Sequence, residues 1–203
     1  MIRPATPDDV PIIADLIRAL AEYEKVSHRV TLDEKRLHEH LFGRHPFAEV
    51  LLAEIDGALP RGGTFATCRP KRDGEPGAIN SGPGGTDGNP GATNGEPGAL
   101  ATRGIAGFAL FFHNYSTFQA QPGIYLEDLF VRPEFRGHGY GKALLAGLAK
   151  LALKRGCCRL EWSVLNWNKP ALGFYRYLGA KPMDEWTVYR LYGTELEQLA
   201  KTC

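Results

Sequence analysis

The spacing of apolar and polar residues predicts helices in the first and last parts of the chain. A threonine, a proline and two acids at residues 6–9 are typical of a helix start, and apolar residues follow at helical spacing to Leu20. A capping box at residues 31–34 predicts a second helix that ends at Gly43. Three more helices are predicted, over residues 141–155 and 170–179 and from Thr194.

Apolar runs rich in β-branched and aromatic residues predict strands between these helices. The predicted strands cover residues 50–55, 105–112, 124–131, 159–164 and 186–191. Strands and helices that follow one another in this way indicate a mixed α/β (α+β) fold.

Residues 60–99 differ from the rest of the chain, since they contain 11 glycines and 6 prolines and little apolar content. Such a composition cannot bury enough apolar surface to offset the entropy lost on ordering. It therefore predicts a disordered surface loop at about residues 60–100, with a partner-binding segment as the alternative. Residues 1–203 are accordingly interpreted as a single domain that this loop interrupts.

Composition and charge exclude several classes of protein. Lys and Arg (24) nearly balance Asp and Glu (23), so no strong basic character favours nucleic-acid binding. No apolar run is long enough to cross a membrane, and no secretory signal opens the chain. The four cysteines lack C-x-x-C spacing and the six histidines form no H-E-x-x-H motif. We expect a cytoplasmic protein with no metal, nucleic-acid partner or membrane.

A glycine-rich turn carries the strongest chemical signal. Gly137, Gly139 and Gly141 alternate between the predicted strand that ends at Val131 and a predicted helix. Glycines let successive backbone N–H groups converge on one anion, and a helix N-terminus adds partial positive charge. The Walker and Rossmann glycine spacings are absent. The turn therefore predicts a phosphate site of another type.

Several motifs together resemble one family. The R-x-x-G-x-G pattern from Arg136 to Gly141 resembles the acetyl-CoA pyrophosphate loop of the GNAT N-acetyltransferase superfamily, and residues 168–175 resemble its N-x-x-A-x-x-x-Y motif. Residues 124–131, 2–6 and 21–24 resemble the spermidine/spermine (diamine) and thialysine N-acetyltransferases. The likeness covers nearly the whole chain except the predicted loop.

The resemblance implies a GNAT fold, which is a mixed, mainly antiparallel sheet flanked by helices, with acetyl-CoA in the cleft between splayed strands. It also implies that Tyr175 donates a proton to the leaving thiolate of the cosubstrate. The residues that it assigns to acetyl-CoA are Leu129, Phe130, Val131, Arg136, Gly137, His138, Gly139, Tyr140, Gly141, Lys142, Asn168, Ala171 and Tyr175.

Carboxylates and aromatic faces are the groups that recognise a protonated amine. The resemblance places Tyr23, Glu24, Glu127, Asp128, Glu161, Trp162 and Glu185 at the acceptor. Neighbouring strand residues point to opposite faces unless a bulge re-aims them. At most one of Glu127 and Asp128 then faces the acceptor, and the resemblance favours Glu127 as a proton acceptor acting through water, with Asp128 as the second candidate.

The implied function is direct acetyl transfer from acetyl-CoA to a small primary amine, which is a polyamine, a diamine or a thialysine-like compound. A protein or peptide N-acetyltransferase is one alternative. A non-catalytic acetyl-CoA-binding sensor is the other. The resemblance also implies a homodimer.

Overall fold

A computed structural model describes residues 1–55 and 104–202 of the chain. These residues form two compact units, Met1–Glu161 and Trp162–Cys203. The predicted loop at about residues 60–100 lies outside the described residues, so the disordered loop and the single interrupted domain stay predictions.

Five strands form one sheet in chain order, and they are β1 (Ile2–Pro4), β2 (Glu49–Glu54), β3 (Ile105–Ser116), β4 (Gln121–Val131) and β5 (Leu160–Trp162). The neighbours from β1 to β4 pair antiparallel. The helices are α1 (Val10–Tyr23), α2 (Glu34–Phe42), α3 (Tyr140–Lys154), α4 (Lys169–Tyr177) and α5 (Gly193–Ala200). The predicted mixed α/β fold, with a mainly antiparallel sheet flanked by helices, is confirmed.

All the predicted helices are present, but the predicted strand at residues 186–191 is wrong. These residues belong to no strand, and the side chains of Trp186, Val188 and Tyr189 are 70%, 76% and 91% exposed. A strand needs a neighbour whose backbone groups complete its hydrogen bonds, and an apolar sequence alone does not supply one. The strand predicted over 159–164 is also shorter, because β5 ends at Trp162.

The sheet is covered on both faces. Side chains alternate along β2, so that Val50 and Leu52 join a core with Ile13 and Leu16 of α1. Leu51 points the other way, towards α3, where a Cβ added to Gly147 would lie 3.3 Å from Leu51 Cδ1. Burial on both faces explains why residues 50–53 of β2 are an uninterrupted apolar run rather than an alternating one.

The ladder between β3 and β4 contains a bulge. Leu110 pairs with Asp128 and the next residue, Phe111, pairs with Leu126, so no residue of β3 lies opposite Glu127. An extra residue of this kind bends a strand and changes the direction of its side chains. The bulge therefore re-aims the two acidic residues of β4.

Arg3 ties the first strand to its neighbours. Its Nη1 and Nη2 donate to the two carboxylate oxygens of Asp9 at 2.7 and 2.8 Å, and its Nε donates to Oε1 of buried Glu54 at 2.7 Å. The hydrogen bond from Arg3 is the main cause that lowers the pKa of Asp9 to about 2, with help from Thr6. This network holds β1, β2 and the turn before α1 together.

We expect Asp9→Asn to lower the free energy of unfolding at pH 7 by about 1–2 kcal/mol, because Arg3 loses a charge-assisted partner in a partly exposed site. The pKa of Asp9 is lowered on folding to about 2, so its contribution is complete above about pH 4 and is lost as the pH falls through 2. Urea unfolding at pH 7 and pH 2 measures both effects, with exposed Asp8→Asn as the matched control. Equal losses at the two pH values would contradict the ion-pair explanation.

Candidate functional site

The turn after β4 has the backbone shape that its glycines predict. A 3₁₀ turn, Pro133–Phe135, follows the strand, and Gly137 and Gly139 then adopt φ values of +81° and +85° before α3 begins. A Cβ at either glycine would meet nothing within 4 Å. Glycine is needed here for its left-handed backbone and not for lack of space.

The N-terminus of α3 is suited to an anion. No side chain caps it, and no acidic residue lies in its first turn. The first backbone N–H groups of a helix have no partner within the helix and carry its positive partial charge. Lys142, exposed in the same first turn, adds a full charge. The donors of residues 137–142 therefore fit a diphosphate such as that of acetyl-CoA.

Arg136 lies between this turn and α1. Its Nε donates to the carbonyl oxygen of Val131 at 3.0 Å, and its Cζ is 4.4 Å from the centre of the Tyr23 ring and 5.8 Å from that of Phe130. Nδ1 of His138 lies 2.9 Å from the carbonyl oxygen of Arg136. Arg136 thus connects the turn to the end of β4 and to the end of α1.

Gly107 is a site residue that the sequence analysis did not single out. It pairs with Val131 across the ladder. A Cβ there would clash with the carbonyl oxygen of Phe130 and lie 2.9 Å from Cα of Val131. The lone glycine within an apolar strand was the available signal, because it marks a close backbone approach.

Two further carboxylates act on Asp128 through their charges, Glu24 just after α1 and Glu127 on β4. Asp128 is half-buried, and its pKa is raised to about 6, first by burial and then by the negative charges of Glu127 and Glu24. Burial also raises the pKa of Glu24. Glu127 is exposed at the bulge. The structure therefore places the predicted pair on β4 with Glu24, and it makes Asp128 the shielded member.

Glu161 is less available for a cationic ligand than a carboxylate with no cationic neighbour would be. Its Oε2 accepts a hydrogen bond from Nδ2 of Asn114 at 2.6 Å and lies 2.8 Å from Nε of Arg159. A carboxylate already beside a cation attracts a second cation less strongly. Its predicted role at the acceptor stays a prediction.

The second unit contains the predicted N-x-x-A-x-x-x-Y motif, at residues 168–175. Oδ1 of Asn168 accepts from the N–H of Ala171 at 3.3 Å and so caps α4. The ring centre of Tyr175 is 4.9 Å from that of Trp162 and 5.4 Å from that of Phe174. Capping is a structural role for Asn168 that the sequence analysis did not assign. Glu185 is exposed in a turn.

Within residues 1–55 and 104–202, no group of three or more His, Cys, Asp or Glu is arranged to hold a metal ion. No helix in this part of the chain has the length and apolar character needed to span a membrane.

Comparison with known families gives a direct match. Residues 90–180 match a family model described as the acetyltransferase (GNAT) family. The chain is 38% identical over 202 residues to L-ornithine N5-acetyltransferase NATA1 of Arabidopsis thaliana, and the alignment covers 98% of this chain and 87% of the relative. It is 36% identical to thialysine N-epsilon-acetyltransferase of Bos taurus, with 98% and 96% covered.

A more distant relative and two solved structures also match this chain. Spermidine/spermine N(1)-acetyltransferase-like protein 1 of Homo sapiens is 23% identical, and the alignment covers 98% of this chain and 23% of that protein. An integron cassette protein of V. cholerae has a TM-score of 0.63 at 22% identity, with 100% and 98% covered. A ribosomal-protein-alanine N-acetyltransferase of Brucella melitensis has a TM-score of 0.59 at 16% identity, with 95% and 99% covered. The two structures show the fold alone.

Proposed function

This chain belongs to the acetyltransferase (GNAT) family, and we propose that it transfers the acetyl group of acetyl-CoA to the terminal amine of a small ω-amino acid. The two relatives at 38% and 36% identity are named for ornithine and thialysine, which are both amino acids with a terminal amine. The relative named for spermidine and spermine is less similar. Diamines and polyamines are therefore the second class of acceptor.

The observation that carries the proposal is the carboxylate cluster of Glu24, Glu127 and Asp128 at the bulge in β4. A protonated amine needs negative charge to bind and a base to become nucleophilic. The same strand leads within a few residues into the turn that suits a diphosphate. Acetyl-CoA supplies the reactive thioester, and residues 129–131 are proposed to pair with its pantetheine arm as an added strand would.

Asp128 is the better placed of the two proton acceptors on β4. Its pKa of about 6 leaves it ionised at pH 7 and closer to the pKa of an amine than an ordinary carboxylate would be. Exposed Glu127 remains the alternative that the family resemblance favours, acting through water. Tyr175 is proposed to protonate the leaving thiolate, and Asn168 and Ala171 to line the same cosubstrate. A homodimer and a cytoplasmic location are proposed from the resemblance alone.

We expect ornithine to be acetylated with a kcat/KM at least about tenfold higher than that of 1,4-diaminobutane, which differs from it only by the carboxylate. Release of free thiol from acetyl-CoA measures both reactions, and lysine with 1,5-diaminopentane forms a second matched pair. Equal or better use of the diamines would contradict the amino-acid proposal. Acetylation of peptides only, or acetyl-CoA binding without turnover on any amine, would favour the two alternative functions.

We expect kcat/KM to fall as the pH drops below about 6, because protonated Asp128 cannot accept a proton. Asp128→Asn should remove this acidic limb. Glu24→Gln should move it to lower pH, because one of the charges that raise the pKa of Asp128 is gone. Rate profiles between pH 5 and 9 measure the limb. If Glu127→Gln removes it and Asp128→Asn keeps it, Glu127 is the proton acceptor.

We expect Tyr175→Phe to lower kcat by about 100-fold or more, because general acid catalysis typically contributes that much. The phenylalanine keeps the ring contacts with Trp162 and Phe174, so the change isolates the hydroxyl. Tyr177→Phe, at a 77% exposed tyrosine on the same helix, is the matched control. An unchanged kcat in Tyr175→Phe, measured at saturating acetyl-CoA, would rule out the acid role.

A further inference from the structure

The side chain of Arg136 contacts two other residues of the protein, Val131 and Tyr23. Its Nε donates to the carbonyl oxygen of Val131, and one face of its guanidinium lies over the ring of Tyr23 at 4.4 Å. A cation over an aromatic face is attracted by the ring quadrupole. The charge of Arg136 therefore interacts with Tyr23 of α1, and it is not available to the diphosphate alone.

Tyr23 is the last residue of α1, at the point where the helix meets the carboxylates. Glu24 is the C-cap of this helix, and Lys25, the residue after it, has a left-handed φ of 62°. Glu24 also contributes its charge to the raised pKa of Asp128. The contact between Arg136 and Tyr23 thus joins the loop proposed for acetyl-CoA to the segment proposed for the amine.

We propose that Arg136 is a positioning residue that couples these two parts of the site through Tyr23. The proposal rests on the proposed function for the identity of the two ligands. Stacking on Tyr23 holds the end of α1 and the loop in one arrangement, so that the binding of either ligand orders part of the site for the other. Lysine replaces this contact only in part, because its ammonium can lie near the ring but lacks the planar guanidinium that stacks on it and the Nε that donates to Val131.

The decisive measurement is the affinity for acetyl-CoA in the absence of any amine, determined by titration calorimetry. Tyr23→Leu should weaken this affinity by about two- to fivefold, which is the range that a partly exposed cation–π contact supplies. The effect is expected although Tyr23 lies on α1 and outside the loop proposed for acetyl-CoA. Tyr23→Phe keeps the ring and should retain the affinity. Arg136→Lys should weaken it as Tyr23→Leu does, and the double variant should be no weaker than Arg136→Lys alone.

A second readout follows the end of α1 directly in the protein without ligands. The N–H groups of Glu24, Lys25 and Val26 bond to carbonyls of α1 at 2.8–3.0 Å. Arg136→Lys and Tyr23→Leu should speed hydrogen exchange at these three amides. Lys142→Met, which removes a loop charge and keeps both Arg136 and Tyr23, should weaken acetyl-CoA binding and leave their exchange unchanged.

Two results would overturn the coupling. One is an unchanged acetyl-CoA affinity in Tyr23→Leu. The other is wild-type affinity and exchange in Arg136→Lys, which would make Arg136 a charge for the diphosphate only. If the wild-type protein binds acetyl-CoA but acetylates no amine, the proposed function fails, and the affinity and exchange comparisons still test the coupling.

Discussion

The backbone pairing of β3 with β4 is the constraint on which the candidate site depends. β4 carries Asp128 and Phe130 towards α1 and then turns directly into the loop at residues 136–139. Its position is set by the ladder with β3, including the close approach at Gly107. The bulge at Glu127 is part of the same ladder. Displacement of this strand would therefore move the carboxylates and the loop together.

The carboxylate cluster destabilises the fold, but it makes one of its members a stronger base. Glu24, Glu127 and Asp128 bring like charges together, and burial of Asp128 adds a desolvation penalty. Both effects disfavour the ionised form and make Asp128 a stronger base than an exposed aspartate. A bound ammonium would offset both penalties, so the arrangement is complementary to the ligand class that the relatives' names suggest. A pKa perturbed by burial and by neighbouring charges is typical of functional sites.

The local motifs were predictable because their physics is local. The helix start at residues 6–9, the glycines at 137 and 139 and the helix that follows them are decided within a few residues, and the structure confirms them. The strand at 186–191 was not predictable in the same way. Its apolar composition satisfies the preference for a strand, but pairing depends on a neighbour that sequence spacing does not reveal.

The sequence by itself determined the order of the elements and the motif that identifies the family. It also determined which residue types are available for the site. Only the tertiary structure decided that Asp128 is the shielded carboxylate, because its environment comes from α1, β3 and a bulge that are distant in the chain. It also decided that Arg136 faces Tyr23. The physical reason is the same in both cases, since burial, charge and ring contacts depend on distances in space that the fold alone sets.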